Sequence, residues 1–165
     1  MPNWAEGTMK IRGTKENIIN CLNEYLLGMT RLVPVKNEKG HLDIKSERSV
    51  VKSEQDDYEY TISCEGGFYI KDTQRAFIEG PKIELWFDNG IENLEITDFK
   101  QAWSVSPEEF VEMSEKHQVD IKIFVFERGM EFTQEIEIIK GKITKDISKE
   151  YDDYFWDVPF ASIGG

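Results

Sequence analysis

Cysteine is nearly missing from this chain: Cys21 and Cys64 are the only two in 165 residues. Two thiols so far apart build neither a disulfide framework nor a zinc site. Each sits in an apolar pattern, so both read as small core hydrophobes. Histidine is as scarce, at His41 and His117. No H-x-x-x-H, C-x-x-C or D-x-D-x-D-G spacing occurs, and no G-x-S-x-G or G-x-x-x-x-G-K-[ST], so no metal, cofactor or catalytic residue is expected. Gly66-Gly67 joins strand to strand and opens no helix, which excludes a phosphate cradle there. Long apolar runs are missing too. None approaches the roughly 20 residues that span a bilayer, and Asn3, Glu6 and Lys10 interrupt any signal-peptide core. The expectation is a cytoplasmic chain with no membrane partner.

Positive charge is the other shortage. The chain has 20 basic and 32 acidic residues, a net charge of −12, which weighs against direct binding to nucleic acid or anionic lipid. The excess lies in two blocks. Residues 84–120 hold ten acids against two bases, and residues 146–165 five against one, whereas 29–58 balance at six each. Such blocks serve either solubility or a face for a basic partner, including mimicry of nucleic acid.

What is present suffices for a core. Hydrophobic residues make up 39% of the chain and aromatics 12%, and the length fits one domain, 1–165. Met9 and Ile11 alternate with Lys10 and Arg12 as in a half-buried strand. Gly13 ends it and Thr14 is placed to cap a helix. Ile18, Leu22, Tyr25 and Leu26 then line one face of a helix over about 15–27, stopped by Gly28. Residues 29–58 lose regularity and read as a long polar loop or insertion. From Tyr58 period two returns: Tyr60, Ile62 and Cys64 lead through Gly66-Gly67 into Phe68-Tyr69-Ile70. Ile83, Leu85 and Phe87 lead through Asp88-Asn89-Gly90 into Leu94 and Ile96, and Asn-Gly is a strong hairpin signal.

Ser106-Pro107-Glu108-Glu109 has the form of a capping box opening a second helix, with Phe110, Met113, Ser114 and His117 on one face. A histidine at such a helix end commonly serves the dipole. Val119–Phe126 alternates, with Ile121, Ile123 and Val125 opposing Phe124 and Phe126. Turns at Arg128-Gly129 and Lys140-Gly141 continue it as a meander. The order predicts an α+β, ferredoxin-like fold: an antiparallel sheet with two main helices on one face. An unpaired edge strand of that sheet would allow a homodimer.

Pro2-Asn3-Trp4, the strand ending Arg12-Gly13, Phe99-Lys100-Gln101-Ala102-Trp103-Ser104 and Phe126-Glu127-Arg128-Gly129-Met130-Glu131-Phe132 occur in that order. This resembles the YubB-type ferredoxin-like proteins of phages, plasmids and other mobile elements of bacteria, whose function is unknown. The resemblance implies fold and provenance rather than activity, with Asn3, Trp4, Trp103 and Ser104 as motif positions of structural use. Ala5, Gly7 and Val105-Ser106-Pro107 depart from the family pattern, and Ala5 removes its cysteine.

The aromatics carry what functional signal there is. Trp4 and Trp103 read as pins where the sheet meets the helices. At about 148–165 the chain becomes aromatic and acidic at once, with Tyr151, Tyr154, Phe155, Trp156 and Phe160. Such a tail either packs back across its own sheet or anchors another chain. Two function classes follow. One is a non-catalytic interaction module of a phage or mobile element, binding an unidentified host or phage protein. The alternative is a small-molecule binder or enzyme with a pocket between sheet and helices, using carboxylates such as Glu84 or Asp98. Asp56-Asp57 and Asp152-Asp153 read as solvated pairs.

Overall fold

A computed structural model describes residues 3–88 and 90–165. Pro2 of the opening motif and Asn89 of the Asn-Gly turn lie outside the described residues. Strand β1 (Trp4–Thr14) alternates along its whole length, turning Ala5, Met9 and Ile11 inward and Trp4, Glu6, Thr8 and Lys10 to the other face. Thr14 then caps helix α1 (Lys15–Tyr25), its Oγ1 accepting from the Asn17 N–H at 3.3 Å. The helix buries Ile18, Ile19, Cys21, Leu22 and Tyr25. It stops at Tyr25 rather than at Gly28, because Leu26 already turns extended and begins β2 (Leu26–Gly28).

Strands β3 (Thr30–Lys36), β4 (Leu42–Arg48), β5 (Val51–Gln55), β6 (Glu59–Cys64), β7 (Phe68–Ile70), β8 (Ala76–Ile78), β9 (Lys82–Trp86) and β10 (Ile91–Ala102) follow. A 3-10 turn, Pro107–Phe110, leads into α2 (Val111–His117), then β11 (Asp120–Glu127), β12 (Phe132–Ile139), β13 (Lys142–Glu150) and the single turn α3 (Tyr154–Asp157). The main sheet has eight strands in the order β13-β12-β11-β1-β10-β8-β7-β2. A smaller sheet is ordered β5-β6-β9, and β3 and β4 form a separate ribbon. Every ladder is antiparallel.

The ferredoxin-like expectation is overturned. Of the described residues 54% are strand and 16% helix, and the main sheet is eight strands wide. Only α1 is a helix of three turns; the second is a 3-10 turn and seven residues. The physical reason lies in 29–58. The expected polar loop there forms β3, β4 and β5, whose residues are almost all exposed. With neither face buried, no apolar alternation marks such strands in the sequence.

Both expected hairpins also changed partner. β9 pairs with β6, and β10 with β1 and β8. Likewise β6 pairs with β5 and β9, and β7 with β2 and β8. Each turn passes the chain from one sheet to the other, so period-two apolarity found the strands without their neighbours. The β11–β12–β13 meander forms as the pattern predicts. The capping box does not form: Ser106 makes no side-chain cap bond, and the Glu109 carboxylate instead accepts from the Gln74 N–H and Gln101 Nε2.

One core joins both sheets and helices. Ile62, Cys64, Ile83 and Leu85 of the small sheet belong to the same cluster as Met9, Ile11, Ile121, Ile123 and Ile136 of the large one, with α1 side chains among them. Both cysteines are buried thiols, and burial pushes Cys21 up to about 12, with the Glu24 carboxylate adding to it. Ile18, Leu22, Tyr25, Phe99 and Phe110 fill the space between sheet and helices. The opposite face of the large sheet is left to other uses.

Candidate docking surface

Strand alternation decides what that opposite face holds. In β1 it receives Trp4, Glu6, Thr8 and Lys10; in β11, Lys122 and Phe124. Phe124 and Phe126 stack edge to face at 5.2 Å, although Phe124 remains partly exposed. Gly7 sits beside them in β1, and a Cβ there would collide with the Phe124 carbonyl oxygen. The two backbones therefore approach as only glycine allows.

Beside Gly7 the ladder slips. Gly7 pairs with Phe99 and Met9 with Ile96, so Thr97 and Asp98 of β10 oppose Thr8 alone. This is a β-bulge, an extra residue that bends its strand and re-aims side chains. Asp98 lands against the Gly80 backbone, and its carbonyl accepts the Glu79 N–H at 3.1 Å.

The tail closes the far side. Tyr154 and Val158 are buried with Phe126, and Tyr151, Ala161 and Ile163 pack around them. Phe160 meets Phe126 edge-on at 6.0 Å. The Gly165 N–H donates to the Trp4 carbonyl at 3.0 Å, tying the tail to the first strand. Burial raises the Tyr154 hydroxyl, with the Glu127 carboxylate as the next cause. Glu127 itself is buried and accepts from the Gly129 and Met130 N–H groups.

Between tail, bulge and β8 lies an open groove of about 780 Å³. Phe124, Phe126 and Phe160 give it an apolar floor and wall, and Glu6, Glu79, Glu95, Asp98, Lys10 and Lys100 are its charged members. Lys10 pairs with Glu95 at 2.9 Å, and Lys100 pairs with Glu79. Glu6 and Asp98 have no lysine of their own among the described ion pairs. The groove is thus aromatic at its base with two carboxylates, Glu6 and Asp98, that no cation pairs among the described residues, Glu6 accepting only the Gly164 N–H at 3.3 Å. Lys100 and Arg75 also lie over the Trp4 ring at 4.6 and 5.4 Å, and Phe77 meets it edge-on at 5.9 Å.

The site residues expected from sequence divide accordingly. Of the tail aromatics, Tyr154 is buried and Tyr151 half-buried, whereas Phe155, Trp156 and Phe160 are exposed, Trp156 at 86%. Tyr151 and Phe160 line the groove. Trp4 packs on the outer face, away from the helices. Trp103 does not pin the core: it is 60% exposed and holds a left-handed φ of 71°, a costly backbone state for a bulky residue. Its N–H donates to the Asn3 carbonyl at 2.9 Å, and Ser104 is an exposed turn residue.

The proposed carboxylates do not meet. Glu84 pairs with Lys82 on the small sheet, while Asp98 lies in the groove. His117 is 3.1 Å from Glu24, which Lys116 and Lys71 also reach. The Lys116 hydrogen bond, aided by His117 and Lys71, holds the Glu24 carboxyl below its usual range. This cluster ties α1 to α2. Asp56 caps a turn, its Oδ1 accepting from Tyr58 and Glu59. No three His, Cys, Asp or Glu side chains converge as a metal site among the described residues. No helix among them is long and apolar enough to cross a membrane.

The acidic block 84–120 is dispersed in the fold. Glu92 is buried and accepts from the Asp88 N–H, Asp120 pairs with Arg12, and Glu95 with Lys10. Sequence reasoning missed the groove, although one signal was available. Ile123 and Val125 alternate with Phe124 and Phe126, so both faces of β11 are apolar. A strand of that kind needs cover or a ligand on each side. No protein-family model matches the chain, and no curated protein or solved structure matches it significantly.

Proposed function

We propose that the chain is a non-catalytic protein-interaction module, of the phage or mobile-element kind that its motifs resemble, docking partners in the outer-face groove. The observation that carries this is the pairing of an aromatic floor at Phe124, Phe126 and Phe160 with the two uncompensated carboxylates Glu6 and Asp98. Aromatic anchors in a pocket are what binding hot spots use, and the carboxylates select a partner segment that is apolar and basic. Mimicry of nucleic acid is a weaker form of the reading, because the acids of 84–120 are scattered and several serve internal contacts. The alternative, a pocket between sheet and helices, draws less support, because Ile18, Leu22, Tyr25, Phe99 and Phe110 are buried there.

The test is affinity capture from bacterial lysate at low and high salt, with wild-type chain and a Phe124→Asp/Phe160→Asp variant, read by mass spectrometry. The groove reading expects a partner held by wild type and by a Trp86→Ser control, and lost by the variant. Identical captured sets from all three chains would remove the groove from the function.

A further inference from the structure

The β3–β4 ribbon is the part of the molecule that the fold does not explain. It belongs to neither larger sheet, and seven residues at about 3.3 Å each carry it roughly 23 Å. A lone two-stranded hairpin is marginal in water, so its use of apolar residues calls for a reason. Register and alternation place Thr30, Leu32, Pro34 and Lys36 on one face with Arg48, Ser46, Ile44 and Leu42 opposite them. On that face Leu32, Ile44 and Leu42 are 72%, 71% and 71% exposed. The cations Lys36 and Arg48 stand at its two ends. The strands' acids, Asp43 and Glu47, both fall on the other face.

Charge separates this arm from the rest of the chain. Residues 30–48 hold five bases and three acids within a protein of net charge −12. Its bare face is apolar in the middle and cationic at both ends. The groove is aromatic at its floor and carries Glu6 and Asp98 uncompensated. The two surfaces are complementary in polarity and in charge, and the arm does not lie in its own groove, since its bare face is open.

Resting on the groove reading above, we infer that the occupant of the groove is the arm of a second copy of this chain. Leu32, Ile44 and Leu42 seat on Phe124, Phe126 and Phe160, with the cation at one end of the arm, Lys36 or Arg48, toward the neighbouring carboxylates Glu6 and Asp98. Each copy has one arm and one groove, so reciprocal exchange satisfies both in a closed two-fold dimer. The arm also starts beside the groove. Met29 shares a hollow with Trp4, Arg75, Glu79 and Lys100, and the last two line the groove as well.

The experiment is sedimentation equilibrium over a concentration series on wild type, an arm variant (Leu42→Lys/Ile44→Asp) and a groove variant (Phe124→Asp/Phe160→Asp). All altered positions are wholly or partly exposed, and circular dichroism checks that each variant folds. The inference expects wild-type dimers of the 19.2 kDa chain and a self-dissociation constant raised at least about tenfold in either variant, the scale of a lost hot spot. An equimolar mixture of the two variants regains dimers, because one intact arm then meets one intact groove. A wild-type monomer overturns the inference, and so does an arm variant that dimerises as wild type does. A mobility shift of duplex DNA lost with the arm, in a chain that stays monomeric, would reassign the arm to nucleic acid. If self-association fails while capture from lysate still depends on the groove, the interaction-module reading stands and only its occupant is wrong.

Discussion

The two faces of the eight-stranded sheet are built from the same strands and behave differently. Inward, Met9, Ile11, Phe99, Ile121, Ile123 and Ile136 meet helices and a second sheet in one continuous cluster. Outward, Phe126, Tyr154 and Val158 form a small cluster under a tail, beside an open groove. The inner face is closed by elements that have strong periodic signatures of their own. The outer face is closed by fifteen residues with none, and only in part. A strand apolar on both sides thus supplies the main core on one and the floor of an open, partly aromatic groove on the other.

Substitutions should separate the two faces in that order. Phe99→Ala, fully buried at the centre of the large core, should cost about 4 kcal/mol in urea unfolding, toward the upper end for large-to-small core changes. Phe126→Ala should cost about 2 kcal/mol, because its ring already borders the groove and less new cavity surface forms. Equal costs would mean that the tail covers the outer face as thoroughly as the helices cover the inner. Gly7→Ala should lose roughly 2 kcal/mol through backbone crowding against Phe124, the scale of a disruptive single change. A neutral result there would show that the strands can part at the groove floor.

Tyr154→Phe should change stability by less than about 1 kcal/mol, since the buried hydroxyl makes no hydrogen bond and its removal leaves nothing unpaired. The smallest effect is expected at the α1–α2 contact. Glu24 has a depressed pKa, so its contribution is present above the ordinary carboxylate value and lost as pH falls through the folded one. Glu24→Gln should therefore lower the melting temperature at neutral pH and flatten its acid limb. A parallel shift at every pH would show that Glu24 acts by packing alone.

How much of this was legible depended on burial. α1, β11 and β12 could be read because each turns one face to the core, which fixes a period in the sequence, whereas the exposed β13 was placed by the Lys140-Gly141 turn before it. The arm could not, because Leu32, Ile44 and Leu42 face solvent among charges and their spacing has no buried neighbour to enforce it. The pairing of β9 with β6 was hidden for another reason: Ile83 and Leu85 specify a buried side, not a partner strand. At the site, the tail aromatics stood out by composition, and Phe160 does border the groove. Asp98 stood out, but as an acid or base of a pocket between sheet and helices, and Glu6 did not; their place in the groove follows only from which lysines the fold pairs elsewhere.

The extra residue in β10 has a separate consequence. Leu94 and Ile96 face inward at even positions, and Phe99 and Gln101 at odd ones, so the strand changes parity at Thr97–Asp98. Removing either of these two residues would leave every other side chain of β10 on its present face. The deletion would straighten the floor of the groove while sparing the core beneath it. The shape of the groove and the packing of the core can therefore be altered independently at this one point of the chain.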